Sequence, residues 1–548
     1  MVPLLAGPHY NVSVNRRESV ASGKARRRYV LLLAGVALFV LMPAARGQSP
    51  ADLERRGIEA LKSGHLGLAE RTFHELARQD PSGETFGYLA AVEGRRREYA
   101  QAIIDFHKAI QLGNDTPTVR FNLALSYLYS HKLELGIREL RVALAKDPTF
   151  VAARYALGLA VLDSGQAREA LTDLEQVRTP LSKHPEMWAN LVRAEFAVGN
   201  TEKALQTVDE ATATIPNDSH LAAALARLCL DHQQPQKARE LLENAIEAAP
   251  NNSALKLLLA EASLEAEEPE EALAVLENIP PGAGGPGQLA FLRGKAFLLG
   301  GNPAEAAPLL ASAIAADPQN VDYLSTYAEL QSSRRNYAGA LTTLERIQQM
   351  RPNDPEFTYK MALVYVFARK YAQAITKCQE VTRMDPQFDQ AYFLIGAIQF
   401  DRGDLQVAEQ AFGHALAIRH GSALYRSALG AALFKEGNLE ASRRELDRAL
   451  LLDPRTAAAY YWRARSFAHQ NEPKKALADL EAFVVLEPNY PEAYEFLSHL
   501  YTEDGQVKKA SAAAAKYKAL KQIVGQHPPF FLVQVGQLKF RLTHAEPQ

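Results

Sequence analysis

PTVRFNLALSYLYSHKLELGIRELRVALAKDPTF, residues 117–150, holds two amphipathic helical segments joined by a short polar turn and closed by Pro148. Leu123 and Tyr127 lie one turn apart on the first segment, and Leu140 and Ala143 share a face of the second. Small Ala124 and Gly136 sit where the two segments would cross, because antiparallel helices approach closely only where neither carries a bulky side chain. Pro148 ends the second helix, since it cannot supply an interior helical N–H.

The same pattern recurs outward in both directions. Pro148, Pro216, Pro250, Pro318, Pro352, Pro386, Pro454 and Pro488 are separated by 34 or 68 residues throughout. Placing them at position 32 starts units at 117, 151, 185, 219, 253, 287, 321, 355, 389, 423, 457 and 491, with further units from 83 and about 50. Position 20 is small in all fourteen units, from Ala69 to Ala510. Position 8 is small in every unit but one, Val192 being the exception. Larger residues at position 24, such as Phe73, Leu140, Leu174, Leu310 and Phe412, fill the space beside the crossing. One such hairpin cannot bury its own apolar face, whereas a stack can.

This pattern resembles the tetratricopeptide-repeat (TPR) family, whose signature is met by Trp188, Leu191, Ala204, Ala211 and Pro216 in the unit from 185. The resemblance covers about residues 50–524 and implies an all-α, right-handed α-α superhelix, a solenoid of helical hairpins. Two departures are local: His420 stands in place of a proline, and Pro280, Pro281, Gly282, Gly284, Gly285 and Pro286 replace the end of the unit from 253. That Gly/Pro cluster divides the expected array into residues 50–286 and 287–524, the second continuous with the first.

Both ends read differently. Lys24, Arg26, Arg27 and Arg28 precede Tyr29–Met42, an uncharged apolar run of 14 residues, and Ala45 and Gly47 suit a signal-peptidase site before Gln48. Residues 1–47 are therefore expected to direct export, with a retained signal anchor as the alternative, although the run is shorter than the ~20 residues of a membrane-spanning helix. The chain is expected in the periplasm or outside the cell, and at a membrane only through that anchor. This segment carries a net +6, so the total of −2 leaves −8 on the remainder, an acidic body that argues against nucleic-acid binding. The tail, 525–548, contains Phe530–Val535, and either pairs with a partner as a strand or folds back over the last helices.

No chemistry-bearing motif is found. The sequence lacks a His-Glu-x-x-His pair, a phosphate-binding Gly-x-x-x-x-Gly-Lys loop and a Gly-x-Ser-x-Gly elbow. Its two cysteines, Cys229 and Cys378, lie more than four repeats apart and read as core. No enzyme activity, cofactor or metal is expected.

The resemblance makes the first helix of each unit the lining of a concave groove for proteins or peptides. Positions 5, 9 and 12 are its candidates: Tyr155, Arg193, Arg227, Phe291, Lys295, Tyr359, Phe393, Phe400, Phe434, Tyr461 and Arg465. Two readings stand for the aromatics, contact with an extended partner or cover by neighbouring helices. Two stand for the position-9 charges, partner contact or pairing among themselves. The lysines of a carboxylate-gripping clamp are absent beside Asn122 and Asn190. Family analogy implies an interaction scaffold in an envelope assembly or secretion complex, with a membrane-anchored organiser or a chaperone-like peptide binder as alternatives.

Overall fold

The computed structural model describes residues 49–524. Among them, twenty-eight α-helices run from Pro50 to Val524, and no strand occurs. The expected export segment and tail lie outside the described residues.

Helix boundaries follow local chemistry. Ser49, Ser82, Thr116, Asp218, Asn252, Asn320, Asp354 and Ser422 each accept a backbone N–H at the start of a first helix. Second helices end just ahead of the ruler prolines, as Leu133–Lys146 does before Asp147-Pro148. The helix Leu405–Ile418 ends at the equivalent place although His420 replaces the proline. The stop is therefore set by the backbone of the turn, and proline reinforces it.

The turn inside each hairpin places repeat position 15 in the left-handed region. Glycine supplies it at Gly64, Gly165, Gly199, Gly301, Gly403, Gly437 and Gly505. Arg97, His131, Gln233, Glu267, Arg335, Arg369 and Asn471 hold the same conformation with a Cβ, at a cost of about 1 kcal/mol each. Arg369→Gly is accordingly expected to stabilise by about 0.5–1 kcal/mol, after the added entropy of the unfolded chain. A urea midpoint that rises checks this, and one that falls refutes it.

The hairpin crossing has the steric form the sequence implies. A Cβ at Gly57, Gly158, Gly294, Gly396 or Gly430 would lie 2.6–2.9 Å from the position-24 side chain of the same hairpin: Phe73, Leu174, Leu310, Phe412 or Leu446. Gly396→Ala is expected to cost about 1–3 kcal/mol, because Phe412 is also held against Phe393 and Phe400. Gly413 is the control. It lies within the next helix with nothing near its Cβ position, so Gly413→Ala is expected to stabilise by up to about 1 kcal/mol. Thermal melts of the pair should shift in opposite directions.

Position 23, on the second helix, carries a buried polar link within the hairpin. In one form an arginine at position 4 reaches it: Arg120 to Glu139 at 2.7 Å, Arg154 to Asp173 at 3.0 Å and Arg426 to Glu445 at 2.8 Å. Two of these guanidinium groups also donate back to the preceding turn, Arg154 to the Pro148 carbonyl and Arg426 to that of His420. In the other form position 11 is the partner. The Thr207 hydroxyl donates to Glu195 at 2.9 Å, that of Thr343 donates to Gln331 at 2.8 Å, and Glu93 shares a hydrogen bond with Asp105. These links offset part of the cost of burying polar groups, although Glu93 Oε2 and Glu195 Oε2 stay without a partner.

The chain divides into two compact units, and the division falls between Ala266 and Glu267. The first holds six hairpins and the helix Ser253–Glu265; the second begins with the short helix Pro269–Glu277 and continues through seven hairpins. Within each unit, every hairpin packs on the next in chain order. The boundary drawn from composition, 286/287, is separated from this division by Pro269–Glu277 and the Gly/Pro connector. That connector closes on Gly287, at φ 75°, where a Cβ would lie 2.8 Å from the Ala313 carbonyl oxygen. Cys229 and Cys378 are each buried in their own unit, and burial raises both thiols, Cys229 to about 12.

Candidate protein-interaction face

The first-helix face is built from repeat positions 5, 6, 9, 12 and 13, and the structure sorts the expected contact residues on it into three groups. Tyr359, Phe393, Phe400 and Tyr461 are buried, which corrects the expectation that they line a groove. Each is covered by a ring from a later turn or repeat. Phe388 lies 5.2 Å from Tyr359, Tyr425 lies 5.0 Å from Phe393, Trp462 lies 5.5 Å from Phe400 and Tyr490 lies 5.4 Å from Tyr461. These pairs contribute to the stack, in keeping with offset and edge-on aromatic packing.

A second group is half-buried. Tyr155 accepts a hydrogen bond from the Asn190 amide at 2.9 Å, and burial pushes its phenol up to about 12. Phe291 stacks on Tyr323 at 4.6 Å. Phe434 lies 5.8 Å from Trp462. Asn122, by contrast with Asn190, is buried in the core.

The charged candidates remain at the surface. Arg193 pairs with Asp163 of the preceding hairpin at 3.1 Å, and Arg227 pairs with Glu261 of the following one at 2.8 Å. Pairing among the face charges is therefore real, but it joins position 9 to position 13 as well as to position 9. Lys295 is partly covered, and Arg465 is exposed above three aromatic rings. Burial raises Asp163 despite its guanidinium partner, so the pair is only partly solvated.

Residues that sequence reasoning did not single out complete the face. Asp401 and Lys435 occupy position 13 of successive first helices, Asp389–Arg402 and Ala423–Lys435. Burial raises the Asp401 carboxyl to about 7, opposed by Lys435, and lowers the Lys435 ammonium. Trp462 occupies position 6 of the next first helix, Ala457–His469. Their spacing of 34 along the chain was a usable signal, but a charge at position 13 looks like any solvated helix end.

Profiles described as "Tetratricopeptide repeat" match residues 121–177, 161–228, 230–292, 297–364 and 427–493, together more than half of the chain. The chain belongs to the tetratricopeptide-repeat family. A further profile, "Anaphase-promoting complex, cyclosome, subunit 3", matches residues 333–415 of this TPR chain. Among solved structures, the APC/C hetero-tetramer Cut9–Hcn1 is similar at 14% identity and TM-score 0.39, covering 83% of this chain and 97% of that one. The MamA protein is similar at 18% identity and TM-score 0.29, covering 32% of this chain and 96% of that one. No curated protein matches the chain. The TPR repeats support a protein-interaction scaffold with protein partners.

Proposed function

We propose that this TPR chain is a non-catalytic scaffold, exported from the cytoplasm, which holds together components of an envelope assembly or secretion complex. One observation carries the scaffold reading. After the hairpin cores are filled, first helices still offer Arg227 in the first unit, where Asn190 and Tyr155 are bonded between neighbouring hairpins, and Phe434 and Arg465 in the second. Charged and aromatic groups on a first-helix face suit capture of an extended segment or helix. Export is supported by the basic cluster at Lys24–Arg28 ahead of the apolar run Tyr29–Met42.

The test is N-terminal sequencing of the protein recovered from fractionated cells, together with crosslinking of the tagged full-length chain in its native envelope. A mature start at Gln48 and a discrete set of captured proteins are expected. An intact Met1 in the cytoplasmic fraction overturns export. An intact N-terminus in the membrane fraction replaces the soluble scaffold with the anchored organiser. Capture of nothing reproducible overturns the scaffold.

A further inference from the structure

The ion pair between Asp163 and Arg193 joins position 13 of one hairpin to position 9 of the next. The same two positions recur down the second unit, where no such pair carries opposite charges. Asp401 has Ala431 at the equivalent position, and Asp401 Oδ2 is buried without a hydrogen-bond partner. Lys435 and Arg465 then occupy the two places where Asp163 and Arg193 carry opposite charges. Two cations thus share one rung, where Arg465 disfavours the charge on Lys435 and Asp401, one hairpin earlier, favours it.

Neither cation is ion-paired among the described residues. Lys435 Nζ lies 3.8 Å over the Phe400 ring and 5.9 Å from Trp462, while the Arg465 guanidinium lies 5.3 Å over Trp462 and 5.6 Å over Phe434. Beneath them Trp462, 4% exposed, keeps an unpartnered Nε1. A buried donor without a partner is costly, and here it lies under two cations that have no ion-pair partner.

We propose that Lys435 and Arg465 together bind a side-chain carboxylate from an acidic segment of a partner protein, laid over the aromatic floor of Phe400, Phe434 and Trp462. This rests on the scaffold reading, since it gives the first-helix face to a partner. One carboxylate between the two cations replaces repulsion with two charge-assisted contacts. An apolar residue beside that carboxylate meets the half-buried ring of Phe434. Hairpins continue on either side of the rung, through Pro355–Met384 and Pro491–Val524, so the bound segment runs on in both directions. That arrangement suits an internal aspartate or glutamate and not a chain terminus.

The test uses the full chain carrying Trp188→Phe, which leaves Trp462 as its only tryptophan. The probe is a C-terminally amidated peptide of four Glu-Leu-Gly repeats, compared with its glutamine counterpart. The glutamate peptide is expected to change Trp462 emission and to bind at least about tenfold more tightly than the glutamine peptide. That preference should weaken with added salt and vanish in Lys435→Gln/Arg465→Gln, with helical circular dichroism unchanged. If the double variant loses helix, Arg465→Gln alone carries the same comparison. Equal binding of both peptides, no binding of the glutamate peptide, or a preference that survives the substitutions overturns the proposal. A free-acid glutamine peptide that binds as well as the glutamate peptide assigns the rung to a chain terminus and also overturns it. Partners still crosslinked to the double variant in cells would preserve the scaffold while removing this site from it.

Discussion

Arg463→Met is expected to destabilise the last hairpins by about 3–5 kcal/mol. Arg463 holds Asp479 through two parallel bonds of 2.7 Å and reaches Asp447 with a third of 2.7 Å. The Asp479 side chain is only 8% exposed, so its carboxylate has no water shell to return to when the guanidinium is removed. Methionine keeps the apolar stem and strips the donors, which separates lost charge from lost packing. Asp479→Leu added to Arg463→Met should recover most of the loss, because a buried ion pair removed as a whole is cheaper than one broken in half. Urea melts of the parent, the single and the double variant check this. Equal stability of parent and single variant would show that the pair is not desolvated.

Glu93→Gln is expected to stabilise the first unit, and by more as pH rises. Burial, reinforced by the neighbouring Asp105 carboxylate, pushes Glu93 from an ordinary value of 4.5 to about 9. Its raised folded-state value means that the native chain keeps a proton which the unfolded chain releases above about pH 4.5. Stability is therefore complete below that pH and is lost as pH climbs towards 9, at about 1.4 kcal/mol per unit. The glutamine amide supplies the hydrogen bond of the protonated acid with no proton to lose. The gain should be absent near pH 4 and about 3 kcal/mol at pH 7. Hydrogen exchange of the amides in Gly83–Arg95 and Tyr99–Gln111 reads it locally. A gain that does not grow with pH would mean Glu93 is ionised in the fold.

The fold was legible because its constraints are steric and local. Gly396 against Phe412 and Gly430 against Leu446 leave no alternative to a small residue at position 8, and the same preference marks every repeat but the one with Val192. The polar links of position 23 were not legible in the same way. Arg120 and Glu139 stand nineteen residues apart and look like two ordinary surface charges until the hairpin closes. The first-helix face was harder again. An aromatic at position 5 or 12 is groove-lining or core depending on what a later turn or repeat places against it, and Tyr425, Trp462 and Tyr490 decide that question for Phe393, Phe400 and Tyr461. Substituting those three would test packing and not partner binding. Arg465 and Phe434 remain accessible because nothing in the following hairpin covers them fully.

Site-specific photo-crosslinking in cells tests the interaction face most directly. A photoreactive residue would replace Arg227, Phe434 or Arg465 on first helices, and exposed Leu451 or Val485 on second helices. The account predicts discrete adducts from the first-helix positions and none from Leu451 or Val485. Adducts confined to the second-helix positions would contradict it.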